Sequence, residues 1–174
     1  MRRDTADGRC DHHPGTSLCG RRKRGAERNA LGRSRGGFST KINARTNAEG
    51  LPIGVVMTPG QAHDVTAFPA LMQEIDCDPE QMRGDKGYDS QAVRRDIAQR
   101  GGKAEIPSTA TRKIQHTVDK ALYALRNRIE RLFNRAKNSR RVATRYDKLA
   151  VRYEATLHIA AINEWLCPGF LNTA

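Results

Sequence analysis

The sequence predicts an α/β fold, a sheet with helices packed on its faces. Two observations carry this. Two consecutive runs with a period of two open the ordered part, near residues 38–47 and 51–58. After them, short apolar runs alternate with segments of helical period. The composition permits such a core: 37% of the 174 residues are apolar, below the usual globular share but enough for one ordinary domain.

Residues 1–36 show no apolar period. Gly, Arg and polar residues dominate, and Arg21, Arg22, Lys23 and Arg24 form a basic knot. Such a segment buries too little surface to offset its ordering entropy and is expected to be a disordered, phosphate-gripping arm.

Order is expected from Gly36 and Gly37. FSTKINARTN, residues 38–47, sets Phe38, Thr40, Ile42 and Ala44 on one side, the pattern of a half-buried strand. Asn47 to Gly50 is a turn, and the β-branched run LPIGVVMT, residues 51–58, returns as the paired strand. Asp64 or Thr66 is expected to cap a helix with Pro69 in its first turn and Phe68, Leu71, Met72 and Ile75 on its apolar face. The His63-Asp64 pair is read as part of that cap rather than as an acid–base pair. A short segment at 81–84 leads into Asp85-Lys86-Gly87-Tyr88. Ser90 caps a helix over about 90–99 that turns Val93 and Ile97 inward and stops at Gly101-Gly102. AEIP, residues 104–107, is a short strand, and 108–118 is a loop. The longest helix is expected over about Asp119–Arg140. The last covers about Lys148–Leu166, with Leu149, Val151, Tyr153, Leu157, Ile159, Ile162 and Leu166 as core candidates.

The charge points to a partner. There are 31 Lys and Arg against 19 Asp and Glu, a net charge of +12, and nucleic acid is the first polyanion such a chain attracts. No stretch approaches the ~20 apolar residues of a membrane helix, and no apolar run follows the basic N-terminus as in a signal peptide. An intracellular, soluble location is expected. Cys10, Cys19, Cys77 and Cys167 form no C-x-x-C pair, so no disulfide framework is expected. Cys10, His12, His13 and Cys19 match no common zinc spacing and read as accidental clustering.

Two stripes run along the longest helix. At about 100° per residue, Leu122, Leu125, Ile129, Leu132, Phe133 and Ala136 share one face, within roughly 60° of Ile129. Tyr123, Arg126, Glu130 and Lys137 fall at roughly 120°, 60°, 100° and 80° from Ile129, a narrow polar stripe bordering it. Glu130 with Arg126 is the spacing of an ordinary surface ion pair. Yet Glu130 is the sole acid between Lys120 and Arg145, among many arginines and lysines. A lone carboxylate in a basic surface suits a metal that must meet phosphate. Asp85 stands where the chain leaves a short strand. There it is either a turn former or a carboxylate able to converge with one on a nearby helix to hold Mg²⁺.

At these residues the chain resembles the DDE transposases of bacterial insertion sequences, in the branch whose third catalytic region reads Y-(2)-R-(3)-E-(6)-K. Tyr123, Arg126, Glu130 and Lys137 meet every spacing. The second catalytic region of that branch matches DKGYDS, Asp85 to Ser90. GRSRGGFSTKI (32–42), TPGQAHD (58–64) and RRVATRYDKLA (140–150) match as well, so the resemblance covers about residues 30–167. It implies an RNase H-like mixed sheet with flanking helices, and the element order above fits that fold with its first strand missing or disrupted. The implied organisation is a basic, disordered tail at 1–31, a partial catalytic domain at 32–168 and a C-terminal tail at 169–174.

The resemblance also implies chemistry. DNA is cut at the element's ends, and the freed 3′-hydroxyls are joined to target DNA by two-metal phosphoryl transfer. It makes Asp85 and Glu130 catalytic metal ligands for Mg²⁺, with Mn²⁺ able to substitute. It makes Tyr123, Arg126, Lys137, Arg140 and Arg141 DNA-binding residues. It further implies a homodimer in the active complex and a bacterial cytoplasmic location. The family's first Asp lies on an apolar strand upstream of the GRSRGG segment. Here the upstream aspartates, Asp4, Asp7 and Asp11, lie in no apolar run. The chain is therefore read either as the downstream product of two overlapping frames or as a decayed copy whose start is out of frame. The alternative function is an inactive remnant that only binds DNA. A basic RNA-binding protein of ribosomal type shares the charge but gives no account of the spaced signature, and 5% aromatic residues offer few stacking platforms.

Overall fold

The structure is a computed structural model that describes residues 5–8, 10–14, 29–34, 37–75 and 77–166, the first two segments by their backbone. Its strands are β1 (Thr5–Gly8), β2 (Cys10–Pro14), β3 (Gly32–Ser34), β4 (Gly37–Thr46), β5 (Pro52–Pro59), β6 (Gln81–Gly84) and β7 (Lys103–Glu105). Its helices are α1 (Phe68–Gln73), α2 (Gln91–Gln99), α3 (Lys120–Ala124), α4 (Asn127–Ala136), α5 (Arg140–Ala143) and α6 (Ala150–Leu166). Single 3-10 turns cover Asp64–Ala67 and Lys86–Tyr88. The result is a mixed α/β architecture, as the alternation of periods predicts.

β4 is the centre of an antiparallel group, paired with β2, β3 and β5, while β1, β6 and β7 form a parallel group. The predicted hairpin is β4–β5. Its turn is held by Asn47, whose Oδ1 accepts from the amides of Glu49 and Leu51, and Gly50 supplies a φ of +87°. A half-buried strand was expected at β4, yet both its faces are covered. Ile42 and Ala44 pack into one core, while Asn43, 0% exposed, accepts a hydrogen bond from the Tyr88 hydroxyl on the other side. Only Gly37 and Phe38, at the strand's start, are exposed.

Two apolar clusters sandwich the sheet. One joins Ile42, Ala44 and Val55 to Ile129, Leu132 and Phe133 of α4, Val142 of α5, and Tyr153 and Leu157 of α6. The other joins Phe68 and Met72 of α1, Met82 of β6, Tyr88, Val93 and Ile97 of α2, and Ile106. α2 is capped as predicted, with the Ser90 hydroxyl accepting from the Ala92 amide at 3.2 Å.

Four expectations change. First, residues within the expected tail form β1 and β2, which pair with β6 and β4. Neither segment has an apolar period. The ladder to a neighbouring strand satisfies their backbone groups whatever the local propensity. Two short strands therefore stand where the first strand was expected to be missing or disrupted. Of the Cys10, His12, His13 and Cys19 cluster, Cys19 and all four side chains lie outside the described residues.

Second, the single helix over 119–140 is two, α3 and α4, and α5 begins only at Arg140. The amides of Leu125, Arg126, Arg128 and Ile129 bond three residues back, a tightened 3-10 junction between α3 and α4. α3 buries no residue completely, so packing does not hold it in line with α4. Third, α6 buries fully only Tyr153 and Leu157, while Leu149, Val151, Ile159, Ile162 and Leu166 are exposed. A core stripe cannot include both sides of a helix, and Tyr153 and Leu157 mark the side that meets the sheet. The Trp165 indole, near the end of α6, donates to the Pro52 carbonyl of β5 at 2.7 Å. Fourth, Asp64 caps nothing. His63 is the cap residue of its 3-10 turn, and the Asp64 carboxylate is drawn instead to Lys41.

Among the described residues, no helix is long and apolar enough to cross a membrane.

Candidate active site

Strand alternation decides which face of the sheet each acid meets. Met82 packs into the cluster beneath α1 and α2, so its neighbour Arg83 belongs to the opposite face of β6. Asp85, two residues on, continues on that side as the strand ends. Glu130 follows Ile129, the α4 residue whose side chain is buried in the other cluster.

Asp85 is half-buried and stands at the head of the turn Lys86–Tyr88. Its Oδ1 accepts from the Lys86 amide at 2.7 Å. The turn itself is tied down twice. The Tyr88 amide donates to the Asp85 carbonyl, and the buried Tyr88 hydroxyl donates to Asn43 Oδ1 at 3.1 Å. Asn43 in turn donates to Thr58 Oγ1 on β5 at 3.1 Å.

Tyr123, Arg126 and Glu130 come together. Arg126 Nη2 donates to Glu130 Oε1 at 2.7 Å, with the two side chains 18% and 31% exposed. The same guanidinium lies 5.4 Å from the Tyr123 ring centroid, a cation–π contact. The Arg126–Glu130 pair is therefore the expected i, i+4 pair, even though the helix is broken at Arg126. The junction residues keep right-handed helical dihedrals, so the side chains stay near their helical places. Lys137 caps the C-terminus of α4 and is exposed, and Arg140 and Arg141 open α5, both exposed. They lie beyond the Tyr123–Arg126–Glu130 group, along the line of the chain.

Oxygen donors are the right chemistry for a hard divalent cation, and Asp85 and Glu130 carry carboxylates. Among the described residues, no group of three or more His, Cys, Asp or Glu converges on one point. β1 carries Asp7 in register with Arg83, in the row of the sheet that continues to Glu105 of β7.

Three groupings escaped the reading of the sequence. The buried Asp89 carboxylate gathers Arg94 at 2.8 Å, Arg112 at 2.6 Å and the Thr109 amide at 2.9 Å. It joins the end of the Asp85 turn to α2 and to the loop after β7. The buried Arg145 guanidinium donates to Thr40 Oγ1 and to the carbonyls of Asp147 and Lys148, and lies over the Tyr153 ring. Lys41 Nζ donates to Asp64 Oδ1 at 2.8 Å and to the Ala62 carbonyl at 2.6 Å. All three lie within stretches that the resemblance marked (DKGYDS, RRVATRYDKLA and TPGQAHD), which was the available signal. Spacing alone gave no partner for any of them.

The chain matches the family model of the transposase DDE domain over residues 6–163. It is also 32% identical, over 130 residues, to a putative transposase for insertion sequence element IS6501 of Brucella ovis. That match covers 74% of this chain and 99% of the relative.

Proposed function

The chain belongs to the DDE transposase family, a class of enzymes that cut DNA and transfer its strands, and from that premise we propose that it cuts DNA at insertion-sequence ends and joins the 3′-hydroxyls to target DNA. The observation that carries this reading is the Tyr123–Arg126–Glu130 group, together with Asp85 at the head of the turn that leaves β6. The parallel group β1–β6–β7 beside the antiparallel group around β4 supports an RNase H-like fold.

In this reading Asp85 and Glu130 hold Mg²⁺, or Mn²⁺ in its place, through carboxylate oxygens. Bound cations would supply positive charge to the attacking and leaving oxygens of an in-line displacement at phosphorus. The residues do the rest. Arg126 holds the Glu130 carboxylate in a fixed rotamer, and its own guanidinium is oriented by Tyr123. Lys137, Arg140 and Arg141 present exposed cations to successive phosphates and fix the register of the duplex. Asp7, which β1 carries beside Arg83, is the candidate for a third carboxylate. The active complex is a homodimer on paired ends.

The test uses the purified chain, Mg²⁺ or Mn²⁺, and DNA bearing element ends. Nicking that is lost in Asp85→Ala and Glu130→Ala is the expected result, and an Asp7→Asn arm tests the third ligand. Equal nicking in wild type and both alanine variants would sink the assigned roles. DNA binding with no cleavage in either metal would instead favour the alternative, a remnant that binds DNA without cutting it.

A further inference from the structure

Gly87, in the middle of the Asp85 turn, lies against the carboxylate of Asp64. A Cβ added at Gly87 would stand 2.5 Å from Asp64 Oδ2, 3.2 Å from its Cγ and 3.3 Å from its Cβ. A carboxylate oxygen at the end of a side chain could swing away from such a methyl. This one is restrained, because Asp64 Oδ1 is held by Lys41 Nζ at 2.8 Å and the same ammonium is bound to the Ala62 carbonyl at 2.6 Å. Lys41 and Asp64 are 12% and 25% exposed, so water competes little for the pair.

The placement has a purpose that a surface ion pair does not. Lys41 and Asn43 sit two apart on β4, the central antiparallel strand. Asn43 grips Tyr88 through its hydroxyl, and Lys41, through Asp64, abuts Gly87. Two consecutive residues of the turn are thus referred to one strand. The residue that heads the turn is Asp85.

We propose that Asp64, locked by Lys41, is a positioning residue that seats the Asp85–Tyr88 turn and so aims the Asp85 carboxylate. The aiming rests on the assignment of Asp85 as a catalytic carboxylate; the seating does not. A glycine is required at position 87 because the carboxylate occupies the space a side chain would take. Asp64 itself touches no reacting atom.

The experiment reads the turn directly, on the full chain without metal. The amides of Tyr88, Asp89 and Ser90 donate to the carbonyls of Asp85, Lys86 and Tyr88 and report the turn by hydrogen exchange. Asp64→Asn, Asp64→Ala and Gly87→Ala should each speed exchange at these three amides by about tenfold while leaving the amides of α4 and α6 unchanged. Lys41→Arg, which keeps the cation, should return most of the protection lost in Lys41→Met. In the double variant Asp64→Ala/Gly87→Ala the methyl gains room, so its exchange should be slower than the sum of the two single losses predicts. Mn²⁺ titrated into Asp64→Asn should bind about tenfold more weakly than to wild type, as expected where a ligand is positioned by a second residue. Unchanged exchange at the three amides in Asp64→Asn and Gly87→Ala would overturn the proposal, whatever cleavage does. Faster exchange with cleavage indifferent to Asp85→Ala would uphold the seating and overturn the catalytic assignment of Asp85 alone.

Discussion

The Asp89 carboxylate and the Arg112 guanidinium meet at 2.6 Å although 23 positions separate them in the chain. The Asp89 side chain is fully buried, and Arg94 and the Thr109 amide fill the rest of its coordination. Removing the acid leaves two largely buried guanidiniums without their carboxylate. Asp89→Ala should cost about 3 kcal/mol, since breaking a buried pair strands a charge. Urea unfolding at neutral pH would measure it.

The same group makes stability depend on pH. Burial pushes the Asp89 carboxyl upward, but the Thr109 amide, Arg94 and Arg112 outweigh it and hold the group below the usual aspartate value. A folded-state pKa below the unfolded one stabilises above the unfolded value, about 3.9, and the contribution is lost as pH falls through the folded value. The stability gap between wild type and Asp89→Asn should therefore be constant at mildly acidic and neutral pH. It should narrow below about pH 4. Urea midpoints at a series of pH values test it; a gap that widens in acid would contradict the sign.

Arg126 separates function from stability. Its pair with Glu130 is partly exposed, so Arg126→Ala should change the unfolding free energy by no more than about 0.5 kcal/mol. Nicking of end-bearing DNA should fall by at least about tenfold if Arg126 fixes Glu130 in the reacting geometry. Thermal melting and a nicking assay on the same preparation give both numbers.

Arg140 and Arg141 are exposed at the start of α5 and are read as phosphate contacts. The double alanine variant should lower the slope of log K against log salt by about 2, with little change in sequence preference. Binding isotherms at several salt concentrations would settle it.

Helices α4 and α6 differ sharply in what their apolar residues bury. Ile129, the wholly buried residue of α4, should cost about 3 kcal/mol as Ile129→Ala. Ile159, 68% exposed on α6, should cost less than about 0.5 kcal/mol as Ile159→Ala. Similar losses at both positions would show that the exposed side of α6 is covered in solution.

Much of this was legible in the sequence, and the limits have physical reasons. The β4–β5 hairpin, the Ser90 cap and the Val93 and Ile97 face of α2 follow from period and cap chemistry, which are local. The Arg126–Glu130 pair was legible because helical spacing is local too. β1 and β2 were not, because their order comes from ladders to β6 and β4, far along the chain. The exposed side of α6 was misread because Ile159, Ile162 and Leu166 are apolar, and apolarity alone does not say which side meets the sheet. Asp64 was misread as a cap because Lys41, its partner, lies 23 positions away on another strand. Asp85 could be flagged by its place after a strand, but the clamp that holds its turn depends on contacts no spacing encodes.

The chain holds one tryptophan. Because the Trp165 indole donates to the Pro52 carbonyl and is about half exposed, its emission is a built-in optical gauge of whether α6 stays laid along β5. Four tyrosines supply the remaining ultraviolet fluorescence, and Tyr88 is buried on the opposite side of the sheet. Excitation chosen for indole alone would therefore follow the release of the last helix separately from the opening of the side that buries Tyr88, without any label being attached.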